Sequence, residues 1–196
     1  MRSLFLVILL SILAACSPQQ GGAEKNDSQF ISTDITGADF AKAMSLTDHT
    51  GKVRSMADFK GKVVVLFFGY THCPDVCPTT MSDLKNTMKL LGEQSDQVQV
   101  LFITADPERD TQEVLAQFVP SFDKRFIGLR GDVAQTKSTL NNFKIFYSKV
   151  EGKTPADYMI DHSAGMYAFD KEGKVRLYLA YGMKPADIAS DIKKLL

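Results

Sequence analysis

The chain has 196 residues, 44% of them apolar, which suits one compact domain with a sizeable core plus a short appendage. Lysine plus arginine and aspartate plus glutamate number 23 each, and no long run carries one sign. That balance argues against nucleic acid as a main partner, because counterion release needs clustered cations, and against a polybasic membrane patch.

The first segment reads as an address rather than as structure. Arg2 gives a short positive start, and Leu4 to Leu13 is an apolar run broken only by Ser11. It falls short of the ~20 residues that a bilayer-spanning helix needs. It ends in Leu13-Ala14-Ala15-Cys16, small residues before a cysteine. This resembles a bacterial lipobox, which implies removal of residues 1–15 and lipid on Cys16. The alternative is an ordinary signal peptide with an incidental cysteine. The expected location is extracytoplasmic, on the periplasmic side, with the chain lipid-anchored to a membrane. Residues 16–35 are rich in Ser, Gln, Gly, Asn and Asp and cannot bury enough surface to fold alone. They read as a tether with a reach of roughly 20–25 Å. Residues 36–196 then form the domain.

Within it, Val63 to Phe68 is a continuous β-rich apolar run, the pattern of a strand buried on both faces. Gly69 to Pro78 is a loop carrying two cysteines. Pro78 suits the first turn of a helix running to about Leu91, where Gly92 can end it. Val98 to Thr104 reads as a strand, Thr111 to Val119 as a helix, Phe126 to Leu129 as a strand and Val133 to Phe143 as a helix. Ile145 to Val150 is a further candidate strand. Gly165 to Phe169 and Lys174 to Ala180 flank the turn sequence Asp170-Lys171-Glu172-Gly173 and read as a hairpin. Lys184 to Leu196 reads as a closing helix. This order predicts an α/β domain, a central mixed sheet flanked by helices with a C-terminal β-hairpin and helix. A cysteine pair where a buried strand meets a helix suggests the thioredoxin plan.

If Cys16 is acylated, Cys73 and Cys77 remain. A structural disulfide is a poor explanation for them, because so small a loop gains little from closing. Redox or metal chemistry explains them better. On a helix their α-carbons would be ~6 Å apart, inside the range a disulfide accepts, so the pair could close reversibly or splay around one ion. Two soft sulfurs select Cu(I), with zinc as the usual competitor. A third ligand could come from His49, His72 or His162. His72 reads as a scaffold residue pointing away from Cys73, and His49 as a solvated histidine in a turn. His162 by itself reads as a polar loop residue before the hairpin. Asp106-Pro107-Glu108-Arg109-Asp110-Thr111 reads as a turn in which Asp110 or Thr111 caps the next helix. Phe67, Phe68 and Tyr70 read as core or site wall.

Phe68-Gly69-Tyr70-Thr71-His72-Cys73-Pro74-Asp75-Val76-Cys77-Pro78, Ala105-Asp106-Pro107-Glu108-Arg109-Asp110-Thr111 and Asp157-Tyr158-Met159-Ile160-Asp161-His162-Ser163 together resemble the Sco (SenC) family of copper-binding assembly factors for cytochrome c oxidase. The matches run from about residue 44 to residue 182. The resemblance implies a thioredoxin-like fold and one copper ion, Cu(I) or Cu(II), held by Cys73, Cys77 and His162. It implies delivery of that copper to the binuclear centre of oxidase subunit II or a similar copper-site protein, or reduction of that centre's cysteines. A periplasmic copper carrier would be a further partner. In this fold His162 would stand where dithiol enzymes keep a cis-proline, and Asp161 could orient it. Two functions follow. A copper metallochaperone needs His162, whereas a thiol–disulfide oxidoreductase needs only the redox-active pair Cys73 and Cys77. A peroxide-reducing enzyme ranks last, because no peroxidase signature surrounds the cysteines.

Overall fold

The computed structural model describes residues 29–41, 43–154 and 157–196. The expected leader, Cys16 and most of the expected tether lie outside the described residues. In chain order the elements are strands β1 (Thr33–Asp34), β2 (Ser45–Asp48), β3 (Val53–Ser55) and β4 (Val63–Gly69), then helix α1 (Val76–Leu91), strand β5 (Val98–Thr104) and helix α2 (Gln112–Phe122). Strand β6 (Ile127–Arg130), helix α3 (Val133–Asn142), strands β7 (Tyr147–Val150), β8 (Met159–His162), β9 (Met166–Phe169) and β10 (Val175–Leu179), and helix α4 (Pro185–Lys193) complete it.

Strand β4 is buried along its whole length, as its unbroken apolar run predicts. It pairs in parallel with β5 on one side and antiparallel with β9 on the other. The full order is β1-β10-β9-β4-β5-β6-β2-β3, a mixed sheet, with β7 and β8 forming a separate two-stranded sheet. Because side chains alternate along a strand, the aromatic residues of β4 divide between the two faces. Phe68 packs on Phe143, just after α3, with ring centroids 5.3 Å apart. Phe67 packs on Phe102 of β5, which in turn meets Phe118 of α2. Helices α1 and α4 pack against each other. The central strands β4 and β5 are therefore buried on both faces, and their ends are open for chemistry.

Local chemistry fixes the helix ends. Gly92 closes α1 with a φ of +57°, a left-handed conformation that glycine adopts without strain. Asp132 and Gln135 form a reciprocal capping box at the start of α3. Helix α2 runs past Pro120 to Phe122, beyond the expected end at Val119, and so sets Phe122 edge-on to Phe118, with ring centroids 5.2 Å apart.

The domain also begins earlier than composition suggests. Phe30 and Ser32 are buried, and β1 extends the sheet by pairing with β10. The Asp191 carboxylate of α4, itself fully buried, accepts hydrogen bonds from the backbone of Ile31 and Ser32 and from the Ser32 hydroxyl at 2.6–3.0 Å. Residues 30–35 thus belong to the fold, and the expected tether boundary at residue 35 moves back. A polar sequence hid this, because the tie is made by hydrogen bonds to a residue some 160 positions away. Burial would raise the Asp191 pKa, but the bonds from Ser32 and Ile31 outweigh it and hold the carboxyl below its ordinary value. A depressed carboxyl pKa stabilises the fold above the unfolded value of ~3.9 and loses that effect as pH falls through the folded value. Asp191→Ala is expected to cost about 2–3 kcal/mol at neutral pH. The gap from the parent protein should close as urea unfolding is repeated at progressively more acid pH.

Candidate metal centre

The loops that follow β4 and β5 lie side by side, joined by a hydrogen bond from Ala105 N to Gly69 O at 2.7 Å. Carboxyl ends of parallel strands are the usual place for a site in α/β sheets. Gly69 matters there for its lack of a side chain. A Cβ at this position would lie 2.9 Å from the Phe102 ring and 3.0 Å from both the Phe67 ring and the Cys77 sulfur. The empty space lets Cys77, in the first turn of α1, press its sulfur against the strand. Cys77 is completely buried, whereas Cys73 in the loop before it is half-buried, and both thiols are free. The Cys77 amide donates to the Cys73 sulfur at 3.4 Å, so the start of α1 is aimed at that atom. Burial pushes the Cys77 thiol far above its ordinary pKa, against a hydrogen bond from the Tyr70 backbone. Cys77 therefore keeps its proton until a cation takes the proton's place.

His162 ends β8 and reaches the same spot from the other sheet. Its Nε2 lies 3.7 Å from the Cys77 sulfur. Its Nδ1 lies 3.0 Å from the carbonyl oxygen of Ser163. A carbonyl can only accept, so Nδ1 carries the proton and Nε2 presents its lone pair towards Cys77. Burial lowers the His162 pKa, which keeps the ring neutral and free to ligate. The rings of Tyr70 and Phe67 stand edge-on to it, with centroids 6.0 and 6.3 Å away. Two expectations change here. His162 is a strand residue, not a loop residue, and Asp161 is exposed while the Ser163 carbonyl orients the ring. His72 is 52% exposed and turns towards Asp110 rather than the cysteines. His49 is not simply solvated, because its Nδ1 accepts a hydrogen bond from Gly128 N at 3.0 Å.

The turn between β5 and α2 holds both halves of this arrangement, a role its sequence does not reveal. Thr111 caps α2, as one of the two expected candidates. Asp110 instead is fully buried and accepts from the Thr71 amide and hydroxyl and from the Thr104 hydroxyl, fixing the cysteine loop. On the other side, Asp106 pairs with Arg109 and accepts from the Tyr158 hydroxyl at 2.7 Å. Arg109 lies 3.6 Å over the Tyr158 ring and donates to the Tyr158 carbonyl at 2.9 Å. These contacts secure the start of β8. Only the Asp106–Arg109 spacing was available to a reader of the sequence; the Tyr158 partner lies 49 residues downstream of Arg109.

Tyr70, Cys73, Phe146, Met159, Ile160 and His162 are among the residues that line an open cleft of about 330 Å³. Two sulfurs and a neutral imidazole are a soft donor set suited to Cu(I). Among the described residues, no three His, Cys, Asp or Glu side chains are gathered closely enough to hold an ion as they stand. Cys77 and His162 are the pair already set, and Cys73 lines the cleft beside them.

The family model described as SCO1/SenC matches residues 32–196. The chain belongs to the SCO1/SenC family. Its thioredoxin-like α/β arrangement accords with solved Sco structures. Bradyrhizobium japonicum ScoI, solved with copper bound, is 36% identical with a TM-score of 0.73, and the match covers 79% of this chain and 98% of that one. A SCO1/SenC family lipoprotein from Bacillus anthracis is 28% identical with a TM-score of 0.70, over 83% of this chain and 97% of that one. The mitochondrial SCO2 homolog of Bos taurus is 36% identical over 152 residues, 76% of this chain and 57% of that protein. This SCO1/SenC chain thus spans little more than half the length of that curated relative.

Two substitutions test how the centre is held. Gly69→Ala should displace the Cys77 sulfur and cost about 1–3 kcal/mol by overpacking, read by chemical denaturation. Arg109→Lys should leave global stability within about 1 kcal/mol while hydrogen exchange at the β7 and β8 amides rises, because lysine cannot both stack and donate in a fixed fork.

Proposed function

We propose that this protein binds one copper ion through Cys73, Cys77 and His162 and passes it to a copper-site protein. The recipient expected from the family resemblance is the binuclear centre of cytochrome c oxidase subunit II. The observation that carries the reading is the His162 Nε2 lone pair set 3.7 Å from the buried Cys77 sulfur. A dithiol enzyme could use an imidazole there only as a base beside a thiol, whereas a three-ligand ion requires it as a donor. The copper-bound Bradyrhizobium relative supports the same choice of metal. Each thiol releases its proton to solvent as its sulfur binds. Delivery then proceeds as stepwise replacement of these donors by the recipient's own. A periplasmic copper carrier would supply the ion.

The location that fits this role is extracytoplasmic, with lipid on Cys16 holding the chain at a membrane. No helix among the described residues is long and apolar enough to cross one. The Bacillus anthracis relative is itself described as a lipoprotein.

A second reading, reduction of a partner's disulfide, is favoured by one observation. Cys73 is the more accessible thiol and has the Cys77 amide at its sulfur, as an attacking thiol would, with Cys77 left to resolve the mixed disulfide. The two readings separate on His162. Anaerobic titration of the reduced chain from Ser17 onward should give one equivalent of copper, with Cu(II)–thiolate absorption that collapses in His162→Ala and an affinity lower by about 100-fold. Binding indifferent to His162, or no stoichiometric binding, would transfer the assignment to the oxidoreductase.

A further inference from the structure

Copper cannot reach the Cys77 sulfur directly, because that atom has no exposure to solvent. It has to arrive through the cleft, and the side chains lining the cleft determine which donor meets it first. Besides Cys73 and His162, the lining offers the carboxylates of Asp75 and Asp161, the Tyr70 hydroxyl and the thioether of Met159. Carboxylate and hydroxyl oxygens are hard donors that Cu(I) disfavours, whereas a thioether is soft. Met159 is 41% exposed, so an incoming carrier can touch it without any rearrangement of the domain.

Its sulfur also has a polar neighbour. The Tyr70 hydroxyl lies 3.9 Å from Met159 Sδ and 3.4 Å from the Ile160 amide, which donates to the same oxygen. With the amide proton occupying one side of the oxygen, the hydroxyl proton is free to point at Sδ. A thioether has a second lone pair, and that one remains for a metal. Tyr70 is buried, and its ring stands edge-on to His162, so one aromatic residue borders both the exposed sulfur and the imidazole. Met159 sits three residues before His162 on the same strand, across from Val150.

We propose that Met159 is a transient copper donor at the mouth of the site, taking Cu(I) from an incoming carrier and releasing it to Cys73 and then to the Cys77–His162 pair. This rests on the copper-binding reading above. Every step is a ligand exchange with no change in oxidation state. The carrier's donor atom leaves as Met159 Sδ binds. Met159 Sδ leaves in turn as the thiol sulfurs bind and give their protons to solvent. The finished three-donor site does not include Met159, so its contribution is to the rate of filling and emptying rather than to the depth of the well.

The test compares the full chain with its Met159→Leu variant, which keeps the apolar volume and removes the sulfur. Circular dichroism checks that both are folded. Stopped-flow loading from the Cu(I)–bicinchoninate complex should slow about tenfold in the variant, equivalent to a lost contact of about 1.4 kcal/mol in the exchange step. Equilibrium Cu(I) affinity should stay within about twofold, since Met159 is absent from the filled site. A second readout excludes a merely structural effect. In a Cys73→Ser, Cys77→Ser background with labelled methionine methyl groups, Ag(I), a redox-inert soft probe, should shift the Met159 methyl resonance and leave the other methionines unmoved. Loading of Met159→Leu at the parental rate, or a Met159 methyl that ignores Ag(I), would overturn the proposal while leaving the three-ligand site intact. If the parent chain itself takes up no Cu(I), the copper reading falls and this proposal falls with it.

Discussion

A carboxylate with no access to water is expensive unless its lone pairs are filled, and Asp110 is placed under that condition at the junction of two loops. Thr71 fills it twice and Thr104 once, so the loop after β4 and the end of β5 cannot separate without stranding the charge. Burial raises the Asp110 pKa, and the threonine donors oppose that rise. The position of the cysteine loop follows from this one group. The depth at which the Cys77 sulfur lies is set separately, by the space left at Gly69.

The two halves of the centre are held by different physics. The cysteine half is part of the main core, packed under Phe67 and Phe102 and closed by Gly69. The histidine half sits on a separate two-stranded sheet, joined to the same turn through an ion pair, a phenol hydrogen bond and a stacked guanidinium. Hydrophobic packing is insensitive to small charges, but the second set of contacts is polar and directional. Burial and the adjacent Asp106 keep the Tyr158 phenol protonated, so it remains a donor to that carboxylate. An incoming cation therefore meets one rigid thiol wall and one wall whose position depends on electrostatics.

The main elements could be read from the chain because their signals are local. The apolar run of β4, Pro78 in the first turn of α1 with Gly92 at its end, and the β9–β10 turn each reside in a handful of neighbouring residues. The short strands β1, β2 and β3 could not be read, since Thr33–Asp34, Ser45–Asp48 and Val53–Ser55 are mostly polar and lack the apolar run that marks the equally short β9. Cys73 and Cys77 announced themselves by spacing, whereas His162 came only with the family resemblance. The companions of His162 were out of reach for a different reason. A backbone carbonyl such as that of Ser163 has no letter in a sequence, and the Asp106–Tyr158 bond spans 52 positions. Asp161 was the nearest acid in the sequence, but it is exposed at the rim of the cleft, and the hydrogen bond at the His162 ring nitrogen goes to the Ser163 carbonyl instead.

The chain joins the sheet at β1, an outermost strand separated from β4 by β10 and β9. At ~4.8 Å per strand, that point is about 15 Å to the side of the strand that leads into the cysteine loop. The clasp of Asp191 on Ile31 and Ser32 makes it a fixed pivot. A pull on Gln29 is therefore borne first by the sheet margin and α4, with β10 and β9 standing between that point and the strand that leads into the cysteine loop.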